Sequence, residues 1–284
     1  MAPVESLRGY VNTWDCDEND HLNVQFYFRF FEDASAHFQS LCGVPAGARR
    51  RPTVRHVRYH RELRANDSIR IESLFATDAG SGRPGVVHMM YATGCGTLAA
   101  TCLEDCDGFG EALRAALVRH EAAMPDSALP RSLAPGPAVL DKDTAAGQVT
   151  LRSRVRAGDC GPDGVIEDWP FVGRNSDAAA HFWDLVGIDR RWLDRHGRGR
   201  VAVEMKLTRL GDLRHGDLMH VTSRPLAVAR STVSFENRFV ASDTGKVAAV
   251  IQLTALTMNL TTRRAEPLPD ETRAMIEARI AGAR

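Results

Sequence analysis

A chain of 284 residues with 36 basic and 36 acidic side chains has no formal net charge, which removes the electrostatic case for nucleic acid or an anionic membrane as a general partner. Hydrophobic residues at 44% and charged residues at 25% are those of a globular protein, the length suits two domains of ordinary size, and no window reaches the apolar run that a membrane span needs. The six cysteines lack CxxC pairing and read as free thiols, and Met1 to Tyr10 lacks the basic start and apolar core of an export signal, so the expectation is a cytoplasmic protein acting on a small molecule.

In chain order, the first strong element is a helix over about Val24 to Cys42, with Tyr27, Phe31, Ala34, Phe38 and Leu41 on one stripe and Gly43 and Pro45 as stop signals. Phe26, Phe28 and Phe30 widen the stripe until the helix is apolar nearly all round, so sheet must wrap it. Strands are predicted at Ser68 to Phe75, Val86 to Tyr91 and Thr97 to Cys102. Met124 to Leu140 holds several prolines and small residues and reads as an extended connector. Beyond it, Val201, Val203, Met205 and Leu207 alternate with polar neighbours, as do Val247, Ala249, Ile251 and Leu253, which predicts strands with one buried face.

The second half repeats the first. Asp33 to Val44, DASAHFQSLCGV, aligns without gaps on Asp177 to Ile188, DAAAHFWDLVGI, with seven identities in twelve positions. Val11, Asp15 and Cys16 recur as Val155, Asp159 and Cys160; Leu63, Arg64 and Asp67 as Leu213, Arg214 and Asp217; Gly96, Ala99 and Ala100 as Gly245, Ala248 and Ala249. A repeat of this size is one structural unit met twice. Each unit reads as strand, long helix, several strands and a short terminal helix, an α+β pattern. The expected division is 1–123 and 148–284, joined by a linker over 124–147. Each sheet edge left open by one unit is a pairing hazard that the other can cover, so an internal pseudo-dimer is expected, with further pairing of outer edges into a homodimer as an additional route.

The stretch richest in chemistry is Trp14 to Tyr27, WDCDENDHLNVQFY, directly ahead of the buried helix. Helix capping explains acidic residues at such a turn, but not His21 and Asn23 beside an aromatic helix. The run DCDENDHLNVQFY resembles the DxDxxGHVNxxxY signature of hot-dog thioesterases of the 4-hydroxybenzoyl-CoA thioesterase type. The element order agrees along both halves, and the resemblance implies a tandem, double hot-dog chain in which each unit curves an antiparallel sheet around one long helix. It also implies an acyl-CoA thioesterase, with acyl-CoA as partner and no cofactor.

Carried over residue by residue, the resemblance makes Asp17 the catalytic carboxylate, as nucleophile or as base for a water. It makes the N–H of Val24 the group that polarises the thioester carbonyl, and His21 and Asn23 the residues that shape the turn and orient water or carbonyl. Asp15 supports the turn and, with Tyr27 of the signature, joins the residues expected to hold substrate. Asp20 stands where the signature has glycine.

Under the offset that aligns the helices, Asp17 falls on Gly161, His21 on Val165 and Asn23 on Glu167, so the second copy has lost the constellation. A gap near Trp169 and Pro170 would instead leave Glu167, Asp168, Asn175 or Asp177 for a divergent second site. His37 and His181, common to both copies, are expected to serve packing or structural hydrogen bonds. Arg49, Arg50 and Arg51 after the first helix are candidates for the phosphates of a nucleotide-bearing carrier, with a solvated loop as the alternative. His56 and His60 are four apart on a predicted strand, too far separated for a zinc pair, and no metal is expected. No phosphate-binding glycine loop and no GxSxG elbow is present. Two other functions fit the same fold: a hydratase, for which the GDxNPxH-like segment is missing, and a non-catalytic module that binds acyl thioesters.

Overall fold

A computed structural model of the protein describes residues 3–140 and 147–282; residues 141–146 of the expected linker lie outside that range. The chain forms two compact units, Met1–Pro137 and Ala138–Arg284.

In the first unit, β1 (Val4–Tyr10) leads through a short turn into the helix α1 (Val24–Leu41), followed by β2 (Val54–Tyr59), β3 (Ser68–Thr77), β4 (Pro84–Ala92), β5 (Thr97–Asp105) and α2 (Glu111–Val118). The strands are antiparallel and lie in the order β1-β3-β4-β5-β2. The second unit repeats this with β6 (Gln148–Arg154), α3 (Asp168–Leu185), β7 (Arg198–Arg209), β8 (Leu218–Val228), β9 (Thr232–Ala241), β10 (Val247–Asn259) and a terminal helix (Asp270–Gly282), in the order β6-β8-β9-β10-β7. It adds a short helix, Arg190–His196, where the first unit has only the turn Ala46–Ala48.

The aromatic character of α1 explains its place. Tyr27, Phe28, Phe30, Phe31, Ala34 and Phe38 are all buried. Phe38 joins Phe75, Val86, Leu113 and Leu117 in one cluster between helix, sheet and α2. Leu41, read as the last member of the stripe, is instead 55% exposed because the helix stops there: Gly43 takes φ +85°, a left-handed conformation that closes the helix end. His37 and His181 lie on the solvent flank of their helices and are exposed, so the expectation that they pack is corrected. In the second unit Phe182 stacks on Phe235 with ring centroids 4.1 Å apart, and Phe171 meets Phe239 edge-on at 5.1 Å.

The connector is anchored rather than freely extended, because the sheet faces turned away from the helices are also apolar. Ala128 is buried with Leu74, Ala76, Val87 and Met89. Arg58 donates to the carbonyls of Asp126 and Leu129, and the Thr101 hydroxyl donates to that of Ser127. Further along, Ala138 packs with Val240, Val247 and Val250.

Candidate active site

The turn between β1 and α1 is built from its own polar side chains. Asp15, fully buried, accepts from the Asn12 backbone and side chain and from Arg29 at 3.3 Å, while its carbonyl accepts from Asn23 N–H. Arg29 lies over the Phe26 ring at 4.6 Å, so one guanidinium ties the turn to the helix. Asp17 and His21 face each other across the loop: Asp17 N–H donates to the His21 carbonyl at 2.8 Å, and His21 N–H donates to Asp17 Oδ1 at 3.2 Å. Asn19 N–H donates to the same oxygen at 2.8 Å. Asp17 Oδ2 takes no hydrogen bond among the described residues, and the side chain is half-buried.

Asn23 is the N-cap of α1 and accepts from Gln25 N–H at 3.1 Å, as short polar caps do. The next residue, Val24, opens the helix, and its N–H makes no hydrogen bond among the described residues. A free donor at the positive end of an 18-residue helix is suited to an oxygen carrying negative charge.

Asp20, at the signature's glycine position, takes φ +58° with its side chain exposed, and its counterpart Gly164 takes φ +72°. The turn therefore demands a left-handed residue, and aspartate is among the few non-glycine residues that tolerate one. Asp20→Gly is expected to leave stability nearly unchanged, whereas the β-branched Asp20→Val costs about 1–2 kcal/mol in urea unfolding.

The second unit keeps the frame with Gly161, Val165 and Glu167 in place of Asp17, His21 and Asn23. Gly161 N–H donates to the Val165 carbonyl and Glu167 N–H to that of Asp159, matching the first turn bond for bond with no inserted residue. The helices that follow, Val24–Leu41 and Asp168–Leu185, both run 18 residues at the same offset, so no gap falls near Trp169. Asp168, at the position of Val24, is buried with its carboxylate 2.6 Å from Arg209, and Asn175 bonds to Asn237 in the core. Both are held by structural partners.

Of the remaining predicted residues, Tyr27 lies in the first helical turn after Val24 and the three arginines follow the far end of α1. Tyr27 is buried, accepts from Leu63 N–H at 3.3 Å and packs edge-on against Tyr59. Burial pushes its phenol far above its ordinary range, so it stays neutral and pins the segment after β2 to the helix. Arg49, Arg50 and Arg51 follow the opposite end of α1, about 27 Å along the helix axis from the turn. Arg50 is engaged locally: its backbone pairs with the Gln39 side chain, and its guanidinium donates to the carbonyls of Gly47 and Arg49. His56 is buried, and His60 contacts Thr101 at 3.1 Å. Among the described residues no group of three or more His, Cys, Asp or Glu could hold a metal ion, and no helix is long and apolar enough to cross a membrane. Burial pushes the Cys42 thiol up to about 11, which leaves it an unreactive core residue.

Two side chains at the turn escape a motif-based reading. One is Arg29. The other is Glu62, whose Oε2 lies 3.3 Å from His21 Nε2. Glu62 adjoins the recurring Leu63 and Arg64 but does not itself recur, since Asp212 stands in its place, and that was the available signal.

A long helix wrapped by an antiparallel five-stranded sheet, present twice, defines a tandem hot-dog protein. The model of the thioesterase-like superfamily matches residues 11–129 and again 155–276, and the chain belongs to that superfamily. Among solved structures it is similar to a putative oleoyl thioesterase from Lactobacillus plantarum, with 12% identity over 89% of this chain and 96% of that one and a TM-score of 0.64. It is also similar to the 12:0-ACP thioesterase from Umbellularia californica (9% identity, 88% and 96% covered, TM-score 0.61) and to an acyl-ACP thioesterase from Bacteroides thetaiotaomicron (9%, 88% and 96%, 0.58). At these identities the likeness is one of fold. No curated protein matches the sequence.

Proposed function

We propose that this protein hydrolyses an acyl-CoA thioester to the free acid and coenzyme A, using the turn ahead of α1. The observation that carries the reading is the combination, in one loop, of a half-buried carboxylate with an unbonded oxygen, Asp17, and an unbonded helix-terminal N–H, Val24. A thioester carbonyl accepting from Val24 N–H gains stabilisation as its oxygen becomes anionic. Asp17 then acts at the carbonyl carbon, either directly or by taking a proton from a water that adds there. Collapse of the tetrahedral species breaks the C–S bond, and the departing sulfur leaves as thiolate and is protonated; in the direct case the acyl group is left as an anhydride on Asp17, which a water then hydrolyses to the free acid. Asn23 holds the helix start, and Asp15 with Arg29 holds the turn that aims both groups. Membership in the thioesterase-like superfamily supports the reaction class.

The test is release of free thiol from a panel of short, branched, aromatic and long-chain acyl-CoAs, with acyl-carrier-protein thioesters alongside. Turnover of at least one CoA thioester that is lost in Asp17→Asn is the expected result. Binding without thiol release by any member would replace this reading with that of a non-catalytic acyl-thioester module.

A further inference from the structure

In the second unit the C-terminal end of α3, the start of β6, the middle of β8 and the terminal helix enclose a cleft of about 360 Å³. Phe182, Leu185, Val186 and Pro225 give it an apolar lining, and Arg279 borders it from the terminal helix. That helix rests on the end of α3, where Met275 lies against Gly187, so the wall it forms is held in place. The cleft is at the opposite end of an 18-residue helix from Asp168, the counterpart of Val24.

The internal repeat shows how the fold fills this place when nothing is to enter it. At the matching register of the first unit Phe75 stands for Pro225 and Val4 for Gln148. Phe75 is buried among Phe38, Val86, Leu113 and Leu117, with Val4 packed against them. Its backbone is closed as well: Phe75 N–H donates to the His120 carbonyl at 3.2 Å, and its carbonyl accepts from Ala122 N–H at 2.9 Å. Pro225 has no N–H to offer, so the second unit cannot repeat that closure. Phe235, in the place of Val86, takes up part of the space by stacking on Phe182, and the cleft is what is left.

The chemistry of the lining selects the occupant. Ser223, the polar side chain on the β8 wall, is already satisfied: its hydroxyl donates to Asn237 Oδ1 at 2.5 Å and lies 2.6 Å from the Thr150 hydroxyl. An apolar tail laid against it therefore strands no buried donor or acceptor. Two guanidinium groups border the cleft. That of Arg224 is taken by Glu236 at 3.0 Å. Arg279, in the last turn of the terminal helix, where its charge suits the helix dipole, is exposed and makes no ion pair among the described residues. One available fork matches one carboxylate, whereas the several phosphates of a nucleotide carrier call for several cations. We infer that this cleft is a binding site for an amphiphilic monocarboxylate, with the carboxylate on Arg279 and the tail against Phe182, Leu185 and Pro225. With Gly161 in the place of Asp17, the second unit holds this acid as a ligand and does not act on it.

The experiment uses the full-length protein and dodecanoate, kept below the concentration at which it forms micelles, with dodecanol as the uncharged analogue. Calorimetric titration is expected to show saturable binding of dodecanoate that weakens about tenfold or more in Pro225→Phe, which puts the first unit's ring into the cleft. Arg279→Gln changes an exposed side chain and leaves the fold intact; it is expected to weaken dodecanoate about fivefold and dodecanol not at all. Dodecanoate carrying a photoreactive diazirine, cross-linked and mapped by peptide mass spectrometry, is expected to label the stretch from Phe182 to Val186 or the terminal helix. The inference is overturned by an absence of saturable binding, by label confined to the first unit, or by equal weakening of dodecanoate and dodecanol in Arg279→Gln. Undiminished affinity in a Pro225→Phe protein that circular dichroism shows to be folded overturns it as well. None of these readouts requires thiol release, so their failure leaves the thioesterase reading untouched, and a protein that releases no thiol is still a fair test of the cleft.

Discussion

Asp17→Asn is expected to lower kcat by about 10²-fold or more on the best acyl-CoA substrate while leaving the circular dichroism spectrum and the urea midpoint close to those of the wild type, the scale of losing a positioned base or nucleophile. The substitution is nearly isosteric, and asparagine can accept from Asn19 N–H and His21 N–H as Asp17 Oδ1 does. The turn should therefore persist, so that the loss reports chemistry and not unfolding. Asp159→Asn is the matched comparison in the second unit. Asp159 accepts from Arg156 N–H and pairs with Arg174, a structural role parallel to that of Asp15 with Asn12 and Arg29. It should cost some stability and leave turnover near normal. Asp15→Asn should fall between them, because it weakens the Arg29 contact that holds the turn without removing the reacting carboxylate. Near-normal rates in folded Asp17→Asn would show that another group performs the attack. An equally inactive but folded Asp159→Asn would place chemistry in the second unit as well.

The elements legible in the sequence were those written in side-chain periodicity and repetition. The helix over Val24–Leu41 and the strands at Ser68–Thr77 and Thr97–Asp105 follow from apolar spacing, and the repeat made both units visible because Asp33 to Val44 and Asp177 to Ile188 differ so little. The turn was legible because Asp17, His21 and Asn23 are contiguous with the helix they precede. Glu62 was not, since its contact with His21 joins positions 41 residues apart, and only the strand register of the folded unit brings them together. Arg29 was hidden for a related reason. On a helix wheel it is a solvated charge, while in the fold it reaches back to the buried Asp15 across one turn. Distance along the helix decided the fate of Arg49, Arg50 and Arg51: a run of charge says nothing of which end of an 18-residue helix faces the reacting groups.

Between α1 and the strands β2, β4 and β5 the two units differ in a way that predicts a large effect on stability. Glu104 on β5 is completely buried and accepts from Arg55 Nε at 2.8 Å and from the Ser35 hydroxyl at 2.8 Å, with His88 Nε2 at 3.5 Å. Burial alone would raise its pKa, but Arg55, His88 and Ser35 outweigh that and hold the carboxyl at about 2. At the matching register of the second unit, where Arg55 faces Glu104, Met205 faces Leu253, and Asn237 stands for His88. One fold thus accommodates either a charged or an apolar pair at this place. Glu104→Leu alone is expected to destabilise the first unit by about 3–5 kcal/mol, because it removes the carboxylate 2.8 Å from the completely buried Arg55 guanidinium. Arg55→Met with Glu104→Leu installs the second unit's pair and should recover at least about 2 kcal/mol of that loss in urea unfolding, since the completely buried guanidinium is then removed together with its carboxylate. The same substitutions separate in acid. A carboxyl whose folded pKa lies below its ordinary 4.5 contributes stability that is complete above that value and disappears as pH falls towards 2. The double variant should therefore lose less stability than the wild type between pH 4.5 and 2, although it starts no higher at neutral pH. If it instead matches Glu104→Leu in urea midpoint at neutral pH, the cost lies in the altered packing around Phe31 and Phe38 and not in the guanidinium left without that carboxylate.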